Sequence, residues 1–366
     1  MTLIVKKYGG SSLSSLAKLR SIAKIVHESH SYTDHKLVIV LSAMGSSTDN
    51  LVDLSKKAVK EANPRDFDML LSTGEQVSIA MLSMLINNLG GRAVPLTGWQ
   101  AGIKTDSSHT NARIKAINTK RIRAELRKSN IVIIAGFQGH TSDNNISTLG
   151  RGGSDTTAVA LAASLKADEC QIYTDVDGVY TTDPRICPKA RRLDLLTYEE
   201  MLEMSGLGSK VLQLRSVEFA SKYNVPIRVL HAHKNQALGT LITKEEKKME
   251  GALISGIAFT KDEAEIMIKG VKDQPGVAAK ILGPIGAAKI EIDMIVQNVG
   301  SNGLADFTFT VSRNTLKNAI KVIEKNKKIM GYDSFDTKNN IVKVSLIGVG
   351  MRSHAGIASK MFKCLA

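Results

Sequence analysis

The stretch Gly150-Arg151-Gly152-Gly153-Ser154-Asp155-Thr156-Thr157 runs straight into the apolar residues Ala158 to Leu165. Glycines let a backbone come close to a ligand, Ser154 or Asp155 can cap a helix, and the Ala/Leu run then reads as that helix, buried on most sides. Helix N–H groups and the dipole favour an anion at its start, and Arg151 adds a planar fork that matches a carboxylate or a phosphate. A second constellation, Lys7-Tyr8-Gly9-Gly10-Ser11-Ser12, joins the β-branched run Thr2 to Lys6 to a helical pattern at Leu13, Leu16, Leu19, Ile22 and Val26. Its consecutive N–H groups, with a lysine just before the glycines, suit phosphate oxygens. The chain contains no G-x-x-x-x-G-K-[ST] and no HRD or DFG signature, so a nucleotide bound here is held by another architecture.

Three further groups have chemical potential. Ser42 and Thr48 follow the strand-like run Lys36 to Leu41, at the strand end where open α/β sheets bind ligands. Glu75 stands beside Gly74 at an expected break in the helical region Arg65 to Leu89, whose methionines read as core. Burying an unpaired carboxylate is costly, and a cationic partner such as a substrate amine would resolve it. After the strand Glu169 to Thr174 come Asp175, Asp177, Tyr180, Asp183 and Arg185, residue types that ribose, base-edge and phosphate contacts need and that a solvated turn also uses. Lys210 lies near the start of an expected helix from Ser209 to Tyr223, where a cation faces an anion or solvent.

The elements that must position these residues alternate. Strand candidates at Thr2, Lys36, Ala93, Ile131, Glu169 and Val225 are separated by helical patterns, which implies an α/β domain over 1–242, a mostly parallel sheet sandwiched by helices. The charged stretch Thr243 to Glu250 opens a linker with a connecting strand, 243–262. Over 263–340 the order becomes βαββαβ, a ferredoxin-like unit. Its expected closing strand is Asp333 to Thr337. A second copy begins within 341–366: Val344 to Gly348 repeats the first strand, and Ala355 to Lys360 parallels Pro275 to Lys280. That copy is expected to be incomplete, which would favour oligomerisation through its unpaired edge.

Composition narrows the function classes. The net charge of +14 suggests anionic partners, yet only 4% of residues are aromatic and the basic residues are scattered, with no nucleic-acid motif. The three cysteines, Cys170, Cys187 and Cys364, fit neither a disulfide framework nor a zinc site. No leader or long uncharged apolar run points to export or a membrane, so the expected location is the cytoplasm.

Taken jointly and in order, Lys7 to Ser12, Ser42-Ala43-Met44-Gly45, Thr73-Gly74-Glu75, Gly150 to Thr157, Thr174 to Tyr180, Asp183-Pro184-Arg185 and Gly208-Ser209-Lys210 resemble the aspartate kinases of the amino acid kinase family. The C-terminal units resemble the ACT domains with which that family senses end products. The resemblance implies transfer of the ATP γ-phosphoryl to the β-carboxylate of L-aspartate, giving 4-phospho-L-aspartate, the first step towards lysine, threonine and methionine. It implies that Lys7 neutralises the transferring phosphoryl with Gly9, Gly10 and Ser11 as donors, and that Asp155 holds Lys7 or the substrate. Arg151 would fork onto a substrate carboxylate within Gly152, Gly153 and Ser154, Glu75 would receive the ammonium, and Ser42 and Thr48 would hydrogen-bond nearby. Thr174, Asp175, Tyr180, Arg185 and Lys210 would form the nucleotide side, with Mg²⁺ arriving on ATP and no protein metal cage. Asp273, Gly276, Asp293 and Gln297 match effector positions for lysine, threonine or both, and assembly through the ACT units into a homo-oligomer is expected. Competing readings are a sister kinase for glutamate, N-acetylglutamate or a nucleoside monophosphate, a non-catalytic amino-acid sensor, and a nucleic-acid binder.

Overall fold

The structure, a computed structural model, describes residues 2–33, 35–233, 238–244, 254–299, 303–348 and 356–366. Residues 245–253 of the expected linker and 349–355 of the expected second copy lie outside the described residues. Contacts divide the chain into one unit of Met1–Ile257 with Ile347–Ala366 and a second of Ala258–Leu346.

The first unit opens with β1 (Leu3–Tyr8), a single 3-10 turn at Gly10–Leu13, α1 (Leu16–Tyr32), β2 (Lys36–Leu41), α2 (Ser47–Ala58) and α3 (Pro64–Asn88). Next come β3 (Ala93–Leu96), β4 (Ile103–Thr105), β5 (Ile114–Ile117), α4 (Lys120–Arg127), β6 (Ile131–Ala135), β7 (Gln138–His140) and β8 (Ile146–Thr148). It continues with α5 (Gly153–Leu165), β9 (Glu169–Thr174), β10 (Val179–Tyr180), β11 (Arg192–Leu193) and β12 (Leu195–Thr197). The helices α6 (Tyr198–Gly206) and α7 (Leu214–Tyr223) and the strands β13 (Ile227–His231) and β14 (Thr240–Thr243) follow.

Eight strands form one sheet in the order β12-β14-β13-β9-β1-β2-β6-β3, parallel throughout except where β14 meets β13. The central runs IVKKY, LVIVL and IVIIA are buried along their length, as apolar strands covered on both faces are. Alternation then sorts their side chains. Ile4, Tyr8, Leu37, Ile39, Leu41, Ile131 and Ile133 meet Leu19, Ile22 and Val26 of α1 and Ile79, Leu82 and Ile86 of α3 in one core. The same alternation sends adjacent lysines to opposite faces: Lys6 donates to Ser29 of α1, and Lys7 points towards α5. The Lys6 amine is pushed down to about 8 by burial.

Helix α3 departs from its sequence pattern. The expected break at Ser72 to Glu75 is absent and the helix runs unbroken from Pro64, with Asn63 capping it by accepting from Arg65 N at 3.0 Å. Gly74 serves contact instead, since a Cβ there would come within 2.9 Å of the Ala43 Cβ. Nor are its methionines all core: Met69 and Met84 are exposed, while Met81 packs on the core. By length and composition α3 could cross a membrane, but it packs as a core helix against the sheet and buries Asp68 and Glu75.

In the second unit, β16 (Ile295–Val299) and β17 (Leu304–Val311) join β15 (Gly256–Lys272) and β18 (Ser334–Ile347) in a sheet ordered β16-β17-β15-β18, with α8 (Val277–Ala287), α9 (Arg313–Lys325) and α10 (Lys327–Met330). Ile266, Ile268, Ile281, Ile285, Phe307, Phe309 and Ile323 fill its core. The strands expected at Asp333 to Thr337 and at Val344 to Gly348 are one continuous strand, β18, which runs through position 340. The final helix, α11 (Ile357–Leu365), has no buried residue.

Ile39 is fully buried at the centre of the sheet. Ile39→Ala is expected to lower unfolding free energy by about 2–5 kcal/mol, read from urea denaturation followed by circular dichroism.

Candidate active site

Four neighbouring parallel strands, β9, β1, β2 and β6, end in step, because Tyr8 pairs with both Leu41 and Tyr173, and Leu41 pairs with Ala135. The loops after them therefore lie side by side. Gly9 N donates to Tyr173 O, Ser42 N to Tyr8 O, Gly45 N to Gly10 O and Gly136 N to Leu41 O, so each loop is stitched to its neighbour. Gly10 cannot carry a side chain here, since its Cβ would stand 2.9 Å from the Ala43 carbonyl oxygen.

The loops and the start of α5 enclose a cavity of about 250 Å³, a volume for a small ligand when drug-sized molecules occupy about 300–1,000 Å³. Lys7, Gly10, Ser42, Thr48, Glu75, Arg151, Gly152, Gly153, Ser154 and Asp155 all line it, together with Ala43, Gly45, Phe137 and Gly150. The structure thus brings together the expected catalytic pair and every expected substrate residue.

At its floor Lys7 Nζ lies 2.6 Å from Asp155 Oδ1, with each side chain about one-tenth exposed. The amine also sits over Gly9, 3.4 Å from where a Cβ would be. The expected cap of α5 by Ser154 or Asp155 is not made. Gly152 is the N-cap, in the left-handed conformation at φ 71°, and Ser154 and Asp155 fall in the first turn. Gly153 N donates to Gly150 O at 3.0 Å and no side chain caps the helix, so the N–H groups left for an anion are those of Ser154 and Asp155, and Asp155 complements the dipole. Cys170 on β9 is fully buried; burial first, then the Asp155 charge, push its thiol pKa up and keep it protonated.

Glu75 is 3% exposed. Its Oε1 accepts from Ala43 N at 3.0 Å, while Oε2 is buried with no hydrogen-bond partner among the described residues. Burial pushes its pKa up to about 7, against the pull of the Ala43 N–H. Arg151 stands exposed on the rim, and no hydrogen bond or ion pair holds its guanidinium among the described residues.

Of the residues expected to meet the nucleotide, Lys7 and Gly10 line this cavity, whereas Thr174, Asp175, Tyr180, Arg185 and Lys210 do not. Thr174 Oγ1 donates to Asp175 at 3.0 Å, Tyr180 OH donates to Asp177 at 2.8 Å, and Arg185 forks onto Asp183 at 3.1 and 3.0 Å. Lys210 is exposed in the loop before α7, because the helix expected from Ser209 begins only at Leu214. Ser11 lies on the 3-10 turn, its carbonyl accepting from Lys18. Among the described residues no three His, Cys, Asp or Glu side chains converge as a metal site.

In the second unit Gln297 Nε2 donates to Asp273 at 3.2 Å, and Gly276 caps α8 at φ 88°. Asp293 is paired instead with Lys343, which also lies 3.7 Å from Glu263. The four expected effector residues therefore include one bonded pair, with Asp293 engaged elsewhere.

Sequence reasoning overlooked Phe137 and Asp68. Phe137 adopts φ 67°, unusual for a bulky residue, and packs against Gly153. The available signal for Asp68 was a carboxylate spaced seven residues before Glu75, on the same face of α3.

Residues 2–231 match the amino acid kinase family and residues 265–327 the ACT domain. The aspartate kinase of Pseudomonas putida is 57% identical over 367 residues, spanning 100% of this chain and 89% of the relative. Escherichia coli aspartokinase III in complex with aspartate and ADP, in the R-state, superposes with a TM-score of 0.83 at 22% identity, covering 99% of this chain and 91% of that one. The same enzyme with lysine and aspartate, in the T-state, gives 0.75 at 22% identity over 94% and 87%. The chain belongs to the amino acid kinase family and, within it, to the aspartate kinases, which phosphorylate the β-carboxylate of L-aspartate.

Proposed function

We propose that L-aspartate binds in the cavity with its ammonium on Glu75, its α-carboxylate on Arg151 and its β-carboxylate towards Lys7, with Ser42, Thr48 and the Gly152-Gly153-Ser154 backbone as hydrogen-bonding neighbours. The observation that carries this reading is that Glu75, whose buried Oε2 has no hydrogen-bond partner among the described residues, lines a cavity that Arg151 also lines. An ammonium supplies what that carboxylate lacks.

The chemistry is then set by the residues. A β-carboxylate oxygen attacks the γ-phosphorus, the bond from that phosphorus to the bridging oxygen of ADP breaks, and no proton moves because the acceptor is already an anion. Lys7 offsets charge on the transferring group, Asp155 keeps Lys7 aimed, and Gly9, Gly10, Ser11 and the first turn of α5 provide N–H donors. Thr174, Asp175, Tyr180, Arg185 and Lys210 take the nucleotide, Tyr180 and Arg185 exchanging their present carboxylates for it. Mg²⁺ accompanies ATP on its phosphates and water. Lysine, threonine or both act through Asp273, Gly276, Asp293 and Gln297. The chain works in the cytoplasm as a homo-oligomer, and the edge strand β16, exposed along its length with Ile295, Val296 and Val299, supports pairing through the ACT unit.

Aspartate-dependent ADP release, with the acyl phosphate trapped by hydroxylamine, tests the assignment. Lys7→Ala should lower kcat by about 10²–10³ with aspartate affinity kept, whereas Glu75→Gln should chiefly raise the aspartate KM. Equal effects of both on ATP alone would sink the roles. In the native enzyme aspartate affinity should weaken up to about tenfold per pH unit below 7, where Glu75 is protonated, and Glu75→Gln should flatten that dependence.

A stability measurement checks the same proton without substrate. Because the folded pKa of Glu75 lies above its ordinary value of 4.5, the folded state binds the extra proton between about 4.5 and 7, and stability falls as pH rises through that window. Urea unfolding of ligand-free protein at pH 5 and pH 8 should show a decline that Glu75→Gln makes shallower by up to about 3 kcal/mol. Identical declines would mean that Glu75 is already ionised when free.

A further inference from the structure

Asp68 is completely buried on α3, two turns before Glu75 and on the same face, yet it does not line the cavity. A carboxylate in that position persists only if its oxygens are satisfied. Its partners come from two segments, the end of β8 and the loop between β4 and β5. Thr148 Oγ1 donates to Oδ1 at 2.5 Å, Thr110 N reaches both oxygens at 3.0 Å, and His109 Nδ1 lies 2.8 Å from Oδ2. Thr148 ends β8, three residues before Arg151.

Thr110 has φ 67°, a conformation that β-branched residues avoid, so something must hold it there. Its carbonyl oxygen backs directly onto Gly150, where a Cβ would come within 3.1 Å. From the other side, Arg215 donates to Leu149 O at 2.9 Å and to Ala112 O at 2.8 Å, and Ala112 N donates to Thr148 O at 2.9 Å. The turn that carries Arg151 is thus clamped between a buried carboxylate rooted in the helix of Glu75 and a guanidinium from α7.

We propose that Asp68 is a positioning residue for aspartate recognition: it ties the Gly150-Arg151 turn to α3 and so fixes the place from which Arg151 reaches the substrate. The proposal rests on the assignment of those two residues to the substrate's carboxylate and ammonium. Asp68 touches no substrate, so its effect is exerted through Arg151 alone.

The test is steady-state kinetics on the full chain carrying Asp68→Asn, with Thr148→Val as a milder variant that leaves the Asp68 charge and its other partners in place. Asp68→Asn should raise the aspartate KM about tenfold and Thr148→Val about threefold, with the ATP KM and kcat held within about twofold. In an Arg151→Ala background Asp68→Asn should add less than about twofold, while in a Glu75→Gln background it should keep its full effect. An undiminished penalty in the Arg151→Ala background, or an ATP KM that rises in step, would show a general structural role and overturn the proposal. If Arg151→Ala and Glu75→Gln raise the aspartate KM but Asp68→Asn and Thr148→Val do not, this inference alone falls. Should Arg151→Ala leave the aspartate KM unchanged, the substrate assignment falls and takes the inference with it.

Discussion

The contact between Lys7 and Asp155 holds two charges 2.6 Å apart in a nearly desolvated place, and neither could stay there alone. Leaving one partner of such a pair uncompensated costs about 3–5 kcal/mol, so the ends of β1 and α5 are bound to each other electrostatically as well as by packing. That constraint accounts for much of the surrounding architecture. Strand β1 must be central, so that Lys7 is anchored at the backbone and reaches upward. Helix α5 must be apolar on nearly all sides, so that its first turn is buried deep enough to meet the amine. Gly152, the N-cap, brings no side chain to that turn, which leaves Ser154 N and Asp155 N uncapped.

Charge in the cavity is distributed by element. The cations Lys7 and Arg151 come from the end of β1 and the turn before α5, and the uncapped N–H groups of Ser154 and Asp155 from α5 itself. The unmatched anion, Glu75, comes from α3 across the site. A ligand that carries two carboxylates and one ammonium reproduces that pattern in complement. On the proposed reading, a phosphoryl donor would add negative charge beside Lys7 and the helix start, where a transition state that spreads charge over equatorial oxygens would need positive potential. Preorganisation of this kind leaves little for general acid–base chemistry to contribute.

The parallel sheet and the lining of the cavity were legible in the sequence for a physical reason. Runs such as LVIVL and IVIIA are too apolar to be anything but strands covered twice, and the loop after such a strand is forced to the ligand-binding edge. Glu75 was visible because a carboxylate in an apolar helix demands an explanation. Local signals misled where tertiary contact overrode them: Gly74 looked like a break and is a packing site, and Ser154 looked like a cap and lies inside the helix. Lys210 was assigned to a helix start that lies four residues further on. The Asp68 cluster was out of reach, since its partners are about forty and eighty residues away in sequence and meet only through the fold.

Cys170 gives the architecture an unplanned property. Its thiol lies under the ion pair, sealed by the same burial that keeps Lys7 and Asp155 together, and it is held in the unreactive protonated form. Electrophiles in solution meet Cys364, which is exposed, and the half-buried Cys187 long before they meet this sulfur. A slow third modification would therefore time the parting of β9 from the strand and helix above it, making an inert cysteine a native clock for how often the floor of the cavity opens.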